Sequence, residues 1–329
     1  MDALRFTLCP QTAFATPLQG DTLFGQLCWA IRHGWGAARL NELLAGYTTG
    51  QPFVVLSDAL PAGHVPLPAL PAACWTRAAD KADDPSQRKA LKKQIWLPES
   101  ALTTPLPDWQ QQAKTPKDIQ ANLAERHQPH NSINRLTQTT GKGAGFAPYQ
   151  VNQHWHPPGS VWMLHVRLDS SRFAAADLHQ ALAAIGESGY GRDASTGLGK
   201  FTLNPAENQP LPPGITPNAW LTLAPCAPQG LGLDARRSFY RPFTRYGRHG
   251  DVAALSGQPF KQPLLLTATG ALLTPQQEQD WSRGWIGQGL GGGGKAGTLS
   301  SVLPATVHQG YAPALPVCLP ETLCHPEAA

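Results

Sequence analysis

An α+β protein built on a split βαβ unit is what this chain predicts, on three observations. Short runs alternating apolar and polar residues occur near the N-terminus and again past residue 160, the pattern of half-buried strands. Each is followed by apolar residues at helical spacing. The elements fall in the order strand, helix, strand, long insertion, strand, helix, strand, which is ferredoxin-like (RRM-like) connectivity.

The elements follow in order. Leu4, Phe6 and Leu8 alternate with Arg5 and Thr7 as a first strand. Asp21 is placed to cap a helix whose Leu23, Phe24, Leu27 and Ile31 share one face and which stops near Gly34. Residues 53–56 read as a second strand, after which the prolines of 57–71 predict an extended, irregular path. Residues 76–156 are polar and weakly periodic, a long insertion of the kind that is functional or mobile. Residues 161–168 alternate again, 174–186 are helical and 199–203 close the unit. A proline-rich linker over 204–217 leads to strand-like stretches at 220–223, 238–243, 263–267 and 312–319. The chain thus reads as an N-terminal domain, 1–205, carrying an insertion at about 76–156, and a C-terminal β-rich domain, 206–329, read as a degenerate second copy of the ferredoxin-like unit.

Composition narrows the function classes. The 329 residues are 41% hydrophobic, enough for a real core, and 32 glycines with 32 prolines foretell many turns. The net charge of +4 is too mild to argue for nucleic acid by itself, so local clusters matter more. Cys9, Cys28, Cys74, Cys226, Cys318 and Cys324 form no C-x-x-C pair, which predicts reduced thiols and no zinc module. His154 and His156 lack the neighbours a metal needs, and no cofactor motif occurs. With no long apolar run, neither a signal peptide nor a membrane span is expected, and the cytoplasm is the expected compartment.

Two clusters point to RNA. The run Gly189-Tyr-Gly-Arg-Asp-Ala-Ser-Thr-Gly-Leu-Gly-Lys-Phe201 sits between a helix and a strand. Gly189, Gly191, Gly197 and Gly199 permit close backbone approach and an amide-lined turn, and Arg192, Ser195, Thr196 and Lys200 are phosphate-seeking side chains. This is the reverse of the strand–loop–helix order of dinucleotide sites. Inside the insertion, Asn131, Ser132, Asn134, Arg135 and Lys142 are hydrogen-bonding groups around the apolar Ile133, suited to splayed nucleotides.

Three further stretches are ambiguous. Residues 236–249 interleave five arginines with Phe239, Tyr240, Phe243 and Tyr246, as in stacking surfaces or as a strand with an aromatic inner face. Residues 284–297 are glycine-rich around Lys295 and read equally as a linker or a second backbone grip. The run Arg88-Lys-Ala-Leu-Lys-Lys93 reads as a solvated helical face. No catalytic triad or carboxylate cluster occurs, so no enzyme is predicted; His33 is the one candidate base for RNA cleavage.

With these residues in view the chain resembles the RAMP superfamily of CRISPR-associated RNA-binding proteins, and within it the family of fourth Csm subunits of type III-A effector complexes. The stretches Gly20-Asp-Thr-Leu-Phe-Gly-Gln-Leu-Cys-Trp29, Ser57-Asp-Ala-Leu-Pro61 with Leu67-Pro-Ala-Leu-Pro71, Asn131-Ser-Ile-Asn-Arg-Leu-Thr137 and Gly189 to Phe201 carry the likeness, supported by Gly310-Tyr-Ala-Pro-Ala-Leu-Pro316. The resemblance implies a non-catalytic subunit that caps the 5′ tag of the CRISPR RNA, docks the large polymerase-like Csm subunit and contacts the backbone Csm subunit, in the service of antiviral defence. It also implies that the insertion is a thumb. The alternative is a RAMP-type endoribonuclease that processes CRISPR repeat RNA.

Overall fold

The computed structural model describes residues 1–75, 85–209, 216–293 and 297–321. Side chains of 85–88 and 144 lie outside the description, as do Lys295, Cys324 and part of the expected linker. The first sheet is built from β1 (Asp2–Pro10), β2 (Val54–Pro61), β3 (Trp162–Leu168) and β4 (Phe201–Leu203), all antiparallel in the order β4-β1-β3-β2, with Glu207–Asn208 of the expected linker also paired to β1. Helix α1 (Gly20–Leu44) connects β1 to β2, and α2 (Ala175–Ser188) connects β3 to β4. Both helices pack on one face. The expected alternation holds in β1, where Leu4, Phe6 and Leu8 are buried against Leu23, Phe24, Leu27 and Ile31 of α1 and Leu178, Leu182 and Ile185 of α2. Strand β3 is covered on both faces: His165 and Arg167 are buried too, their rims held by Gln209 and the Gly284 carbonyl.

Several elements depart from the sequence reading, each for a physical reason. Helix α1 runs past Gly34 to Leu44, with a break at Gly36 whose φ of 89° is open to glycine. Asp21 is not the cap: Gln19 holds that position, and Asp21 is buried in the first turn. Strand β2 does not end at Leu56; a bulge between Leu56 and Ala59 lets it continue to Pro61 opposite Trp162. The insertion is not uniformly irregular. Residues 96–113 form a strand and short helical turns whose Leu97, Leu102, Leu106 and Trp109 are buried. Beyond them Ala124–His130 and Tyr149–Trp155 pair as an exposed hairpin with neither face packed into a core, so burial imposes no clear hydrophobic period on it.

A second antiparallel sheet joins β5 (Ala219–Thr222), β6 (Leu272–Leu273), β7 (Trp285–Gly291) and β8 (Val307–Val317) in the order β6-β5-β8-β7. The glycine-rich stretch from 284 is thus neither linker nor grip over its first half. Gly287 and Gly289 are there because a Cβ would lie 2.2 Å from the Gly310 carbonyl oxygen and 2.4 Å from that of Tyr47. The expected strand at 238–243 is displaced to Pro242–Arg245, paired with Leu264–Thr267. Cys9, Cys28, Cys226 and Cys318 are free thiols, but Cys74 is disulfide-bonded, against the reduced state expected throughout; cysteine pairing depends on proximity in space, which spacing along the chain does not reveal.

The two sheets are joined by shared cores. Leu60, Val65, Leu97 and Trp109 pack with Leu221, Leu272, Leu315 and Val317. Tyr311 enters the first core edge-on to Tyr47, which stacks on Phe24. At the β2 bulge the Gln309 side-chain amide donates to the Leu56 carbonyl at 2.8 Å while its carbonyl accepts from the Leu56 N–H at 2.9 Å, replacing a missing strand partner. Gln309→Met leaves both buried backbone groups unpaired and is expected to cost roughly 2–4 kcal/mol in urea unfolding; an unchanged midpoint would contradict this role.

Candidate nucleic-acid interface

The N-terminus of α1 is seated on the β2 bulge. Gly20 stands where a Cβ would be 2.3 Å from the Leu56 carbonyl oxygen. That close approach brings the Gly20 N–H to Asp58 Oδ1 at 2.8 Å, so a carboxylate from β2 caps the helix. Asp58 Oδ2 accepts from the Thr269 hydroxyl at 2.5 Å. Beside it, the fully buried Asp21 receives Arg245 through Nε at 2.7 Å and Nη2 at 3.1 Å, with His308 Nε2 at 3.3 Å. Burial pulls the Asp21 carboxyl upward, but the hydrogen bond and charge of His308 and the charge of Arg245 outweigh it and hold the group below its ordinary value.

The segment before α1 holds the glycine loop. The Gln11 N–H donates to the Lys200 carbonyl, Lys200 N–H to the Thr12 hydroxyl, Gly199 N–H to the Ala13 carbonyl and Arg192 N–H to the Thr16 hydroxyl. Within the loop, the Tyr190 N–H donates to the Gly199 carbonyl and the Tyr190 hydroxyl to the Pro17 carbonyl. A Cβ on Gly189 or Gly199 would strike the Leu198 or Tyr190 backbone, and one on Gly191 the Thr16 side chain. These glycines therefore serve close packing, and many loop amides, Gly197 included, are already donated to protein oxygens. The four polar side chains instead face solvent. Arg192 pairs with Asp193 at 3.2 Å and Thr196 donates to the Asp193 carbonyl, whereas the Ser195 hydroxyl and the Lys200 ammonium have no partner among the described residues.

The same segment anchors the hairpin, because Phe14 and His154 exchange backbone hydrogen bonds at 2.9 and 2.8 Å. The glycine loop and the hairpin base are thus neighbours, but the hairpin tip is not: His154 is five residue steps along the strand from Tyr149, about 17 Å. At the tip, the Asn134 side chain accepts from the Leu136 and Thr137 N–H groups, and the Asn131 amide donates to the Thr140 hydroxyl, so both asparagines shape the turn. Arg135 and Lys142 are exposed and have no partner among the described residues, Ser132 is half-buried, and Ile133 and Leu136 are 65% and 96% exposed. The predicted residues fall into two patches, one on the loop and one on the tip.

Residues 236–249 do not divide into an aromatic and an arginine face. Arg245 points inward to Asp21 with its guanidinium 4.9 Å from the Phe243 ring, while Tyr246 and Arg248 face solvent. Tyr240 and Arg241 instead border a groove of about 1070 Å³ with Pro17, Leu67, His156 and Trp162. Burial and the nearby His154 push His156 down to about 4. Sequence reading missed this groove because its walls come from many stretches scattered between Phe14 and Thr269.

No family model and no curated protein sequence matches the chain. Solved structures do, across nearly its whole length. A chain of the "Csm1-Csm4 cassette in complex with pppApA" superposes with a TM-score of 0.61 at 17% identity, covering 98% of this chain and 100% of that one. A chain of the "Csm3-Csm4 subcomplex in the type III-A CRISPR-Cas interference complex" gives 0.59 at 12% identity, covering 96% and 100%. The fold is therefore that of a Csm-complex subunit. Csm4 is the component named in both assemblies, and the chain shares its fold with a subunit of each. Among the described residues no helix is long and apolar enough to cross a membrane.

The helix seat carries a pH signature. Burial pushes the Asp58 carboxyl up to about 7, against the Thr269 and Gly20 hydrogen bonds. An unfolded Asp titrates near ~3.9. The folded state holds the proton more tightly, so this group's contribution is complete below about pH 4 and is lost as the pH rises through about 7. Asp58→Asn, which cannot ionise, is expected to melt higher than the unaltered protein at about pH 8 and to differ little at about pH 4. An equal fall in melting temperature for both proteins across that window would refute the assignment.

Proposed function

We propose that this protein is the RNA-binding, non-catalytic Csm4-type subunit of a cytoplasmic type III-A CRISPR effector complex. In this reading it holds the 5′ tag of the CRISPR RNA, docks the large polymerase-like subunit and contacts the backbone subunit. The first sheet is taken as a ferredoxin-like RAMP domain and the second as its degenerate copy. The observation that carries the reading is the Csm4 fold over nearly the full length. The site agrees with it in chemistry: Arg192, Ser195, Thr196 and Lys200 are exposed on a loop held firmly from behind, and Arg135 and Lys142 are exposed at the tip of a projecting hairpin. The loop's grip is assigned chiefly to side chains, since many of its amides are engaged within the protein.

Arg135→Ala and Lys200→Ala are each expected to weaken assembly with guide RNA and to lower the salt slope of binding by about 0.7, the value for one lost single-strand phosphate contact. Unchanged affinity and slope in both variants would count against the surface.

One observation favours the endoribonuclease alternative: the His33 ring contacts the Asp251 carboxylate and stacks on Trp29, so a candidate base has an orienting acid. Incubation with repeat RNA decides between them. Intact RNA is expected, and cleavage abolished by His33→Ala would establish the alternative.

A further inference from the structure

The hairpin carries rings that none of the assignments above uses. Its register pairs Ala124 with Trp155, Arg126 with Gln153, Gln128 with Val151 and His130 with Tyr149, which places these eight residues on one face. At one end the Arg126 guanidinium lies 5.4 Å from the centre of the Trp155 ring. At the other the His130 and Tyr149 rings stack at 5.3 Å and 13°. The Trp155 indole N–H is held by Gln153 at 3.2 Å. Trp155 and Tyr149 are 37% and 54% exposed, although a two-stranded ribbon has no core that would require either ring. The opposite face is differently committed: His127 bonds Asn152, and His154 lines the groove at the base.

Charge selects the class of ligand. From Ala124 to Trp155 the ribbon and its tip carry Arg126, Arg135 and Lys142 against one acid, Glu125, which lies on the opposite face beside His154. Rings spaced along a cationic ribbon suit stacked bases whose phosphates are neutralised alongside. We propose that the Trp155–Arg126 and Tyr149–His130 pairs form a stacking rail for unpaired nucleobases, tolerant of sequence and distinct from the hydrogen-bonding residues of the tip. The inference rests on the reading of the hairpin as an RNA-facing thumb, and not on capture of the 5′ tag.

The test uses the full chain, a short single-stranded oligouridylate and an abasic strand of equal length. Tyr149→Ala and Trp155→Ala are each expected to weaken oligouridylate binding about tenfold and to leave the salt slope unchanged. In the double variant the preference for oligouridylate over the abasic strand disappears, while Tyr149→Phe and Trp155→Phe preserve it. Both rings lie outside the cores, so the melting temperature should not move. Unchanged oligouridylate affinity in the double variant overturns the rail, as does an equal loss for both strands. The two readings fail separately: Arg135→Ala and Lys200→Ala weakening binding without any effect of the ring variants removes the rail and keeps tag capture. The converse result keeps the rail and removes the phosphate surface.

Discussion

The seat of the first helix on the β2 bulge is the constraint from which the rest of the molecule is arranged. A helix N-terminus presents unpaired N–H groups, and here the cap comes from Asp58, a residue on the following strand rather than the one before the helix. The absence of a side chain at Gly20 permits the contact. It also carries Asp21 into the interior, where an unpaired carboxylate would be untenable. Arg245 and His308 meet it there. One buried charge and its partners thus tie the start of α1 to two segments more than two hundred residues further along the chain. Such a cluster gives registry more than net stability, because desolvation offsets much of the attraction.

What depends on this seat is the segment between β1 and α1. Held at its C-terminal end by the helix, it has the glycine loop on one side and the hairpin base on the other. The exposed cations are displayed from a rigid backing, which suits a surface that receives a flexible strand and orders it. The loop's glycines are structural in this arrangement. They allow backbone to pass over backbone, and the resulting tightness fixes where Lys200 and Arg192 emerge.

Much of the first sheet and its two helices was legible in the chain. The alternation in β1 and the helical spacing in α1 and α2 are strong periodic signals, and the buried residues are the ones those patterns select. The hairpin was not legible, because neither of its faces is buried and its strands carry no sustained apolar–polar alternation. The bulge in β2 was hidden for a related reason: the prolines that suggest irregularity sit at its end, and the break is repaired by Gln309 from the far side of the sequence. The exposed loop and tip residues proposed for the site are selected by residue type, whereas Trp155, Tyr149, Arg126 and His130 come together only through the hairpin register, since no single stretch contains them as a group.

The sequence alone determined the strongly periodic elements β1, α1 and α2, where glycines make tight turns available, and how charge is distributed along the insertion. These are local properties, set by side-chain sterics and period. Only the tertiary structure decided which glycines pack against backbone, that Arg245 turns inward to Asp21 while Arg248 stays in solvent, and which rings share a face of the hairpin. Those outcomes are properties of register and long-range pairing, in which a one-residue slip exchanges the two faces of a strand, and composition carries no record of them.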